Sequence, residues 1–326
     1  MIEAMGPPRP LRVVAVSAGE NPSFDYFLRP RLGNGVVLDG AAGPRALPDL
    51  PLGEIALVFC RYVPPRWLAW TLRHGRRLGA LGVFLDDDYE GLVRDRTVPF
   101  RYRWKVLRLG LLPWRALAGR FTHVWAGSGA LARRLRPDAV PLRPIAAAED
   151  LLRPDGDGSD GPLRIAFHAT AVHRREHLAL AAWAPDIRAA VPGARWEVIA
   201  DRRLAPLWRE RPWVEVRPPR PWPAYRDAAR RGGADLFLVP LAPARINEGR
   251  SLSKAIDAVR LGAVPLLADA PAYRPLAGIA PLIPDEPAAW VEAIVRYGSD
   301  PDLRARTVAG LRAHLRADRA AVAPLL

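Results

Sequence analysis

The chain has 326 residues, half of them hydrophobic and a quarter charged, a globular composition with room for two domains that excludes a disordered chain. Its formal net charge is +14, yet its only lysines are Lys105 and Lys254, so the excess is arginine scattered along the chain rather than a basic tail or block. That distribution argues against nucleic acid as a partner and leaves anionic substrates, an anionic membrane surface or plain compositional bias to account for the charge.

The first residues, Met1-Ile-Glu-Ala-Met-Gly-Pro-Pro8, lack the charged start and apolar core of a signal peptide. No apolar run approaches the roughly 18 to 20 residues of a membrane span. The expectation is a cytoplasmic protein, with peripheral attachment to the inner face of the cell membrane as a variant of it.

Short β-branched runs at 12–16, 35–38, 55–60, 82–85 and 122–126 read as strands, with helices at 67–78 and 102–120 between them. In the loop Ser17-Ala-Gly-Glu-Asn21, Gly19 permits close backbone approach, which makes Gly19 and Glu20 candidates for the wall of a cleft; an ordinary strand-to-helix turn explains them as well. Cys60, the only cysteine, excludes an internal disulfide and a multi-cysteine metal site, and its apolar run reads as a buried strand.

Asp86-Asp-Asp88 follows the strand 82–85. Asp86 and Asp87 are candidates for contact with a substrate hydroxyl, and helix capping or a divalent cation are the competing accounts. The stretch Arg101-Tyr-Arg-Trp-Lys-Val-Leu-Arg-Leu-Gly-Leu-Leu-Pro-Trp-Arg115 combines cations, aromatics and leucines. It reads as a core helix with its arginines outward or as a basic amphipathic helix for anionic lipid.

Residues 153–162, Arg-Pro-Asp-Gly-Asp-Gly-Ser-Asp-Gly-Pro, are turn formers throughout and read as a linker between a first domain, 1–152, and a second, 163–326. The alternation then restarts, with strands at 163–168, 196–200, 235–239 and 264–268 and helices at 176–190, 224–231, 251–261, 288–297 and 302–317. Two such units predict an α/β protein with two parallel sheets and a cleft between them.

The most informative stretch is Asn247-Glu-Gly-Arg-Ser-Leu-Ser-Lys-Ala-Ile-Asp-Ala-Val-Arg-Leu-Gly-Ala-Val-Pro265. At about 100° per residue, a helix from Ser251 places Leu252, Ala255, Ile256 and Val259 on one face and Arg250, Lys254 and Asp257 on the other. Arg250 and Ser251 then stand at a helix start, where backbone N–H groups favour phosphate. Lys254 adds a point charge, and Asp257 suits paired ribose hydroxyls. An exposed helix face with Lys254 and Asp257 as a surface pair fits the same spacing.

This stretch resembles the donor-site element of GT-B glycosyltransferases of the bacterial family-4-like kind, Asn-x-x-Lys/Arg-Ser-x-x-Lys-x-x-Glu followed by Gly-x-Pro, matched at Asn247, Arg250, Ser251, Lys254, Gly262 and Pro265. Asp257 stands where that family has Glu. The family's earlier glutamate falls on Gly249, so its contact is either missing or supplied by Glu248. Ile165-Ala-Phe-His-Ala-Thr-Ala-Val-His-Arg-Arg-Glu176 resembles the family's first strand and loop of the second domain, with His173 in position to donate to a phosphate oxygen.

The resemblance implies two facing Rossmann-like domains and a nucleotide-sugar held mainly by the second. It also implies a glycan, lipid-linked or small hydroxylated acceptor on the first, no required metal or cofactor, and a last helix that crosses back onto the first domain. Arg250 and Lys254 would be catalytic, with His173, Asn247, Ser251, Asp257 and Glu248 binding the donor. Retaining sugar transfer in polysaccharide biosynthesis is the implied activity, and a non-catalytic nucleotide- or glycan-binding relative is the alternative.

Overall fold

A computed structural model describes residues 10–152 and 161–326. Residues 153–160 of the expected linker lie outside the described residues. The first lobe is a parallel sheet of β1 (Arg12–Ser17), β2 (Val36–Asp39), β3 (Ile55–Cys60), β4 (Ala80–Leu85), β5 (His123–Ala126) and β6 (Val140–Pro141), in the order β2-β1-β3-β4-β5-β6. The second is a parallel sheet of β7 (Arg164–His168), β8 (Arg195–Ile199), β9 (Val214–Arg217), β10 (Leu236–Val239), β11 (Val264–Ala268) and β12 (Leu282–Ile283), in the order β12-β11-β10-β7-β8-β9. Every residue of β3, β4, β10 and β11 is buried, as continuous apolar runs must be in sheets covered on both faces.

The sequence leaves out β6, β9 and β12. Two of them are two-residue strands, and all three are edge strands carrying too little apolar signal to stand out. The single helix expected at 102–120 is three pieces: Phe100–Val106, a π-helical turn Leu107–Leu111, and Leu112–Leu117. Pro113 falls in the first turn of the last piece, where its missing N–H costs nothing.

The lobes touch over a wide front. The last helix, Pro301–Ala320, reaches the first lobe through Arg143–Asp318 (3.1 Å) and an Arg319 guanidinium donating to the Ala146 carbonyl (3.0 Å). Beyond it, the Leu325 N–H donates to the Arg31 carbonyl (3.1 Å). The segment 245–250 of the second lobe lies against the first. There Ile246 is buried among first-lobe side chains, Ser128 Oγ donates to the Gly249 carbonyl (2.8 Å), and Arg245 pairs with Asp88 (2.8 Å). A side chain at Gly91 would sit 3.0 Å from an Ile246 methyl, so the glycine is what leaves room for that isoleucine.

A polar knot is buried at the same junction. Arg260, its side chain 0 % exposed, holds Asp150 (2.9 Å), Asp257 (2.8 Å) and the Tyr26 hydroxyl (2.7 Å). Its guanidinium also lies 5.1 Å from the ring centre of Trp222. An arginine taken wholly out of water keeps its charge, and that many partners offset the cost of burying it.

Candidate active site

In each sheet the order of strands reverses once, between β1 and β3 in the first lobe and between β7 and β10 in the second. Open parallel sheets bind ligands beyond the C-terminal ends of their strands at such a reversal. Here the two reversals face one another across a cavity of ≈ 310 Å³ lined by residues of both lobes. Ser23 follows β1, Arg61 follows β3, and Asp86 and Asp87 follow β4; Thr170 and His173 follow β7, while Arg250, Ser251 and Lys254 come from the segment after β10.

Charge in this cavity is arranged around Arg61. Its backbone lies in the left-handed region at φ 65°, the single non-glycine residue there among those described, and it takes the turn immediately after a wholly buried strand. Its guanidinium holds Asp86 (2.8 Å) and Asp87 (2.8 Å), and Ser23 donates a hydrogen bond to Asp86. Burial raises the Asp86 carboxyl above the ordinary carboxylate range, because Arg61 offsets the loss of water only in part. Burial pushes Asp87 the same way, but two guanidiniums, Arg250 and Arg61, outweigh it and hold Asp87 below that range. Asp87 thus stays ionised.

Arg250 spends one N–H on Asp87, Nη1 to Oδ1 at 2.8 Å. Its Nε and Nη2 are buried with no hydrogen-bond partner among the described residues. Unmet donors on a buried cation are costly, and an oxyanion in the cavity would satisfy them bidentately. Lys254 adds a second cation, with Nζ 3.1 Å from the His168 carbonyl and 3.1 Å from Asp257 Oδ2.

His173 is aimed by a chain of contacts that starts in the core. Asn247 Nδ2 donates to Glu176 (2.6 Å) and to the Ala242 carbonyl (2.8 Å), and the Ala242 N–H donates to the same carboxylate (3.1 Å). The other Glu176 oxygen lies 3.7 Å from His173 Nδ1. Burial works against the Glu176 charge, yet His173, the local backbone and Asn247 bring its pKa down to about 2. Burial first and then Arg250 push His173 below the ordinary imidazole value, so its ring is neutral at pH 7.

Several expectations from the sequence are corrected. The helix begins at Ser253, not Ser251, because Ser251 Oγ accepts from the Ser253 N–H (3.4 Å) and bends the chain there; Arg250 and Ser251 therefore lie in the preceding turn. Asp257 is not free on an outer face: Tyr26 (2.6 Å), Arg260 and Lys254 occupy its two oxygens. Asn247 is buried beneath the cavity. Glu248 is exposed and paired with Arg134, and it lines a separate cavity of ≈ 350 Å³ on the far side of the Arg250 turn.

Gly19 and Glu20 are exposed and line no part of the ≈ 310 Å³ cavity. The Gly19 N–H donates to Asp39 (3.1 Å), and Pro22 and Ser23 stand at the wall instead. The acidic triplet divides. Asp86 and Asp87 face the cavity, while Asp88 caps the helix Tyr89–Arg94 through the Gly91 N–H (2.9 Å). Among the described residues no group of three His, Cys, Asp or Glu side chains could share a metal ion. Arg61, Ser23 and Tyr102 were not picked out from the sequence. Only the position of Arg61, directly after an all-apolar strand, could have flagged it.

No protein-family model and no curated protein matches the sequence. Solved structures do match the fold. A mutant O-GlcNAc transferase of Thermobaculum terrenum is similar over 96 % of this chain and 64 % of its own, with 17 % identity and a TM-score of 0.55. A variant of S. aureus TarM, solved with fondaparinux, alpha-GlcNAc-glycerol and UDP, is similar over 81 % of this chain and 52 % of its own, with 8 % identity and a TM-score of 0.52. The UDP-forming alpha,alpha-trehalose-phosphate synthase of Burkholderia vietnamiensis is similar over 81 % and 67 %, with 14 % identity and a TM-score of 0.54. This chain spans about half to two thirds of the length of these proteins. It shares with them the GT-B fold of two facing Rossmann-like lobes.

Proposed function

We propose that the protein is a glycosyltransferase that holds a nucleotide-sugar by its diphosphate between Arg250 and Lys254 and passes the sugar to an acceptor hydroxyl presented from the first lobe. The observation that supports this best is the pair of unpartnered, buried N–H groups on Arg250, at the meeting of the two strand-order reversals. As the bond from the anomeric carbon to the diphosphate breaks, negative charge grows on the departing oxygens. Arg250 and Lys254 are fixed where that charge develops. His173, neutral with Nδ1–H turned toward Glu176, is placed to accept a hydrogen bond at Nε2 from a hydroxyl of the donor sugar. The ionised Asp87 is placed to orient the incoming hydroxyl, which attacks on the face the diphosphate leaves and passes its proton to the departing diphosphate oxygen.

In this reading the donor is a nucleotide-sugar and no metal or further cofactor takes part. The acceptor is a hydroxyl of a glycan, a lipid-linked sugar or a small molecule, and the anomeric configuration is retained. The fold shared with the UDP-bound TarM variant supports a nucleoside diphosphate as the common ligand.

Thermal shift with UDP, GDP, ADP, dTDP and CMP is the direct test. One of the diphosphates should raise the melting temperature by several degrees, and Lys254→Ala should abolish that rise and lower sugar transfer or donor hydrolysis by about a hundredfold or more. A shift without turnover would reduce the reading to nucleotide binding. No shift with any of them would remove it.

A further inference from the structure

The helix Phe100–Val106 has two faces with different destinations. On one, Tyr102 lines the cleft, its hydroxyl 3.3 Å from the Arg61 guanidinium. On the other, Phe100 is 70 % and Trp104 54 % exposed. The π-helical turn Leu107–Leu111 that follows is wider than an α turn, so a spacing of four residues stays on one side and Leu112, 52 % exposed, continues the same ridge. Scattered exposed apolar residues are ordinary, but three large ones in a row along one ridge are a surface built for contact.

The charge around the ridge is of one sign. Residues 96–120 hold seven cations and no aspartate or glutamate. Arg101, Lys105 and Arg108 are exposed on the same segment, Lys105 with its ammonium 4.9 Å from the ring centre of Tyr62, while Arg115, at the far end, is paired with Glu90 of a neighbouring helix (2.7 Å).

We propose that this ridge seats the protein on an anionic lipid bilayer. Phe100, Trp104 and Leu112 enter the boundary between headgroups and acyl chains, and Arg101, Lys105 and Arg108 meet lipid phosphates. An amphipathic helix with aromatics on one side and cations around them has the chemistry of an interfacial anchor. If the cleft is a sugar-transfer site, on which this last step rests, the acceptor is lipid-anchored. One short helix then supplies both a cleft wall, Tyr102, and the membrane contact, Trp104.

Flotation of the full chain with vesicles of phosphatidylcholine, alone or mixed with phosphatidylglycerol, tests the proposal. The protein should float with the mixed vesicles, poorly with phosphatidylcholine alone, and less well as salt is added. Phe100→Ser with Trp104→Ser should weaken binding about tenfold or more, since two apolar anchors are lost. Both side chains are exposed, so the double variant should keep its melting temperature and its response to nucleotide. Arg101→Glu with Lys105→Glu should remove the preference for phosphatidylglycerol without that loss of apolar contact.

Absence of binding to mixed vesicles, or a double serine variant that floats like the wild type, would overturn the proposal. So would a concentration-dependent dimer abolished by the serine substitutions in the absence of vesicle binding, which would make the occupant a second copy of the chain. Lys254→Ala should float normally, so a failure of the donor-site reading and a failure of the membrane contact give separate results.

Discussion

Asp87 of the first lobe and Arg250 of the second meet across the cleft, Oδ1 to Nη1 at 2.8 Å. The residue proposed to hold a diphosphate is therefore already tied to a carboxylate of the opposite lobe, and any anion that enters must share or displace that partner. Asp87→Asn keeps the shape and removes the competing charge. It should raise affinity for the nucleoside diphosphate about three- to tenfold, equivalent to roughly 1 kcal/mol, in isothermal titration. It should also slow transfer, because the side chain proposed to orient the incoming hydroxyl loses its charge. Weaker nucleotide binding in this variant would mean that the pair helps to build the anion site rather than competing for it.

Arg260 is the centre of the knot between the lobes, and nothing else neutralises both Asp150 and Asp257 at once. Arg260→Met would leave two buried carboxylates with one cation each, Asp150 with Arg230 and Asp257 with Lys254. A loss of about 3–5 kcal/mol in urea unfolding is expected. Arg230→Met should cost much less, since among the described residues Arg230 pairs only with Asp150 (2.8 Å) and keeps some exposure to water. Equal losses in the two variants would show that burial of Arg260 adds nothing.

Stability should decline in mild acid. His177 is fully buried; its Nδ1 accepts from the Trp208 indole N–H (3.1 Å), and its other nitrogen lies 3.2 Å from the Ala169 carbonyl, so the ring is held in one neutral form. Burial brings its pKa down to about 4. The unfolded chain, with an ordinary value of about 6.5, takes up the proton first as pH falls, so the stability is complete above about pH 6.5 and is lost progressively toward pH 4. His168 and His173 shift the same way, also mainly through burial, and steepen the decline. Urea unfolding at a series of pH values should show the slope, and His177→Gln should flatten it. A pH-independent profile over this window would contradict the assignment of neutral histidines.

A single methyl group tests how Arg61 is held. A side chain at Gly110 would lie 2.7 Å from the ring of Tyr89, whose hydroxyl donates to the Arg61 carbonyl. Gly110→Ala should cost about 1–3 kcal/mol through overpacking and move the Arg61 turn. Nucleotide affinity should fall along with stability, although Gly110 does not line the cleft. Unchanged affinity would show that Arg61 does not depend on this contact.

The α/β class, the two sheets and nine of the strands were legible because each central strand is a run of β-branched and apolar residues between turn formers. The two cations Arg250 and Lys254 of the cavity wall were legible for a different reason: they sit in a stretch whose spacing repeats a known pattern. What spacing could not convey was partnership across the lobes. Asp257 looks like a free acceptor on a helical wheel, but its oxygens are claimed by Tyr26, more than two hundred residues away, and by Arg260. Asn247 matches the pattern and yet acts at one remove, through Glu176. Trp104 fits both a core helix and a lipid-facing helix in the sequence, and only its exposure in the fold separates the two readings.

Ile246 gives the closed arrangement a mechanical meaning. It is a plug from one lobe seated in a socket of the other, next to a glycine that has no side chain to obstruct it. Parting the lobes by a rigid swing would pull that plug into water, at a cost of roughly 1.5–3 kcal/mol for one isoleucine. The pace of ligand exchange would then be set by how often the plug leaves its socket, and trimming it to alanine would speed entry and release while leaving the charged groups of the cleft where they are.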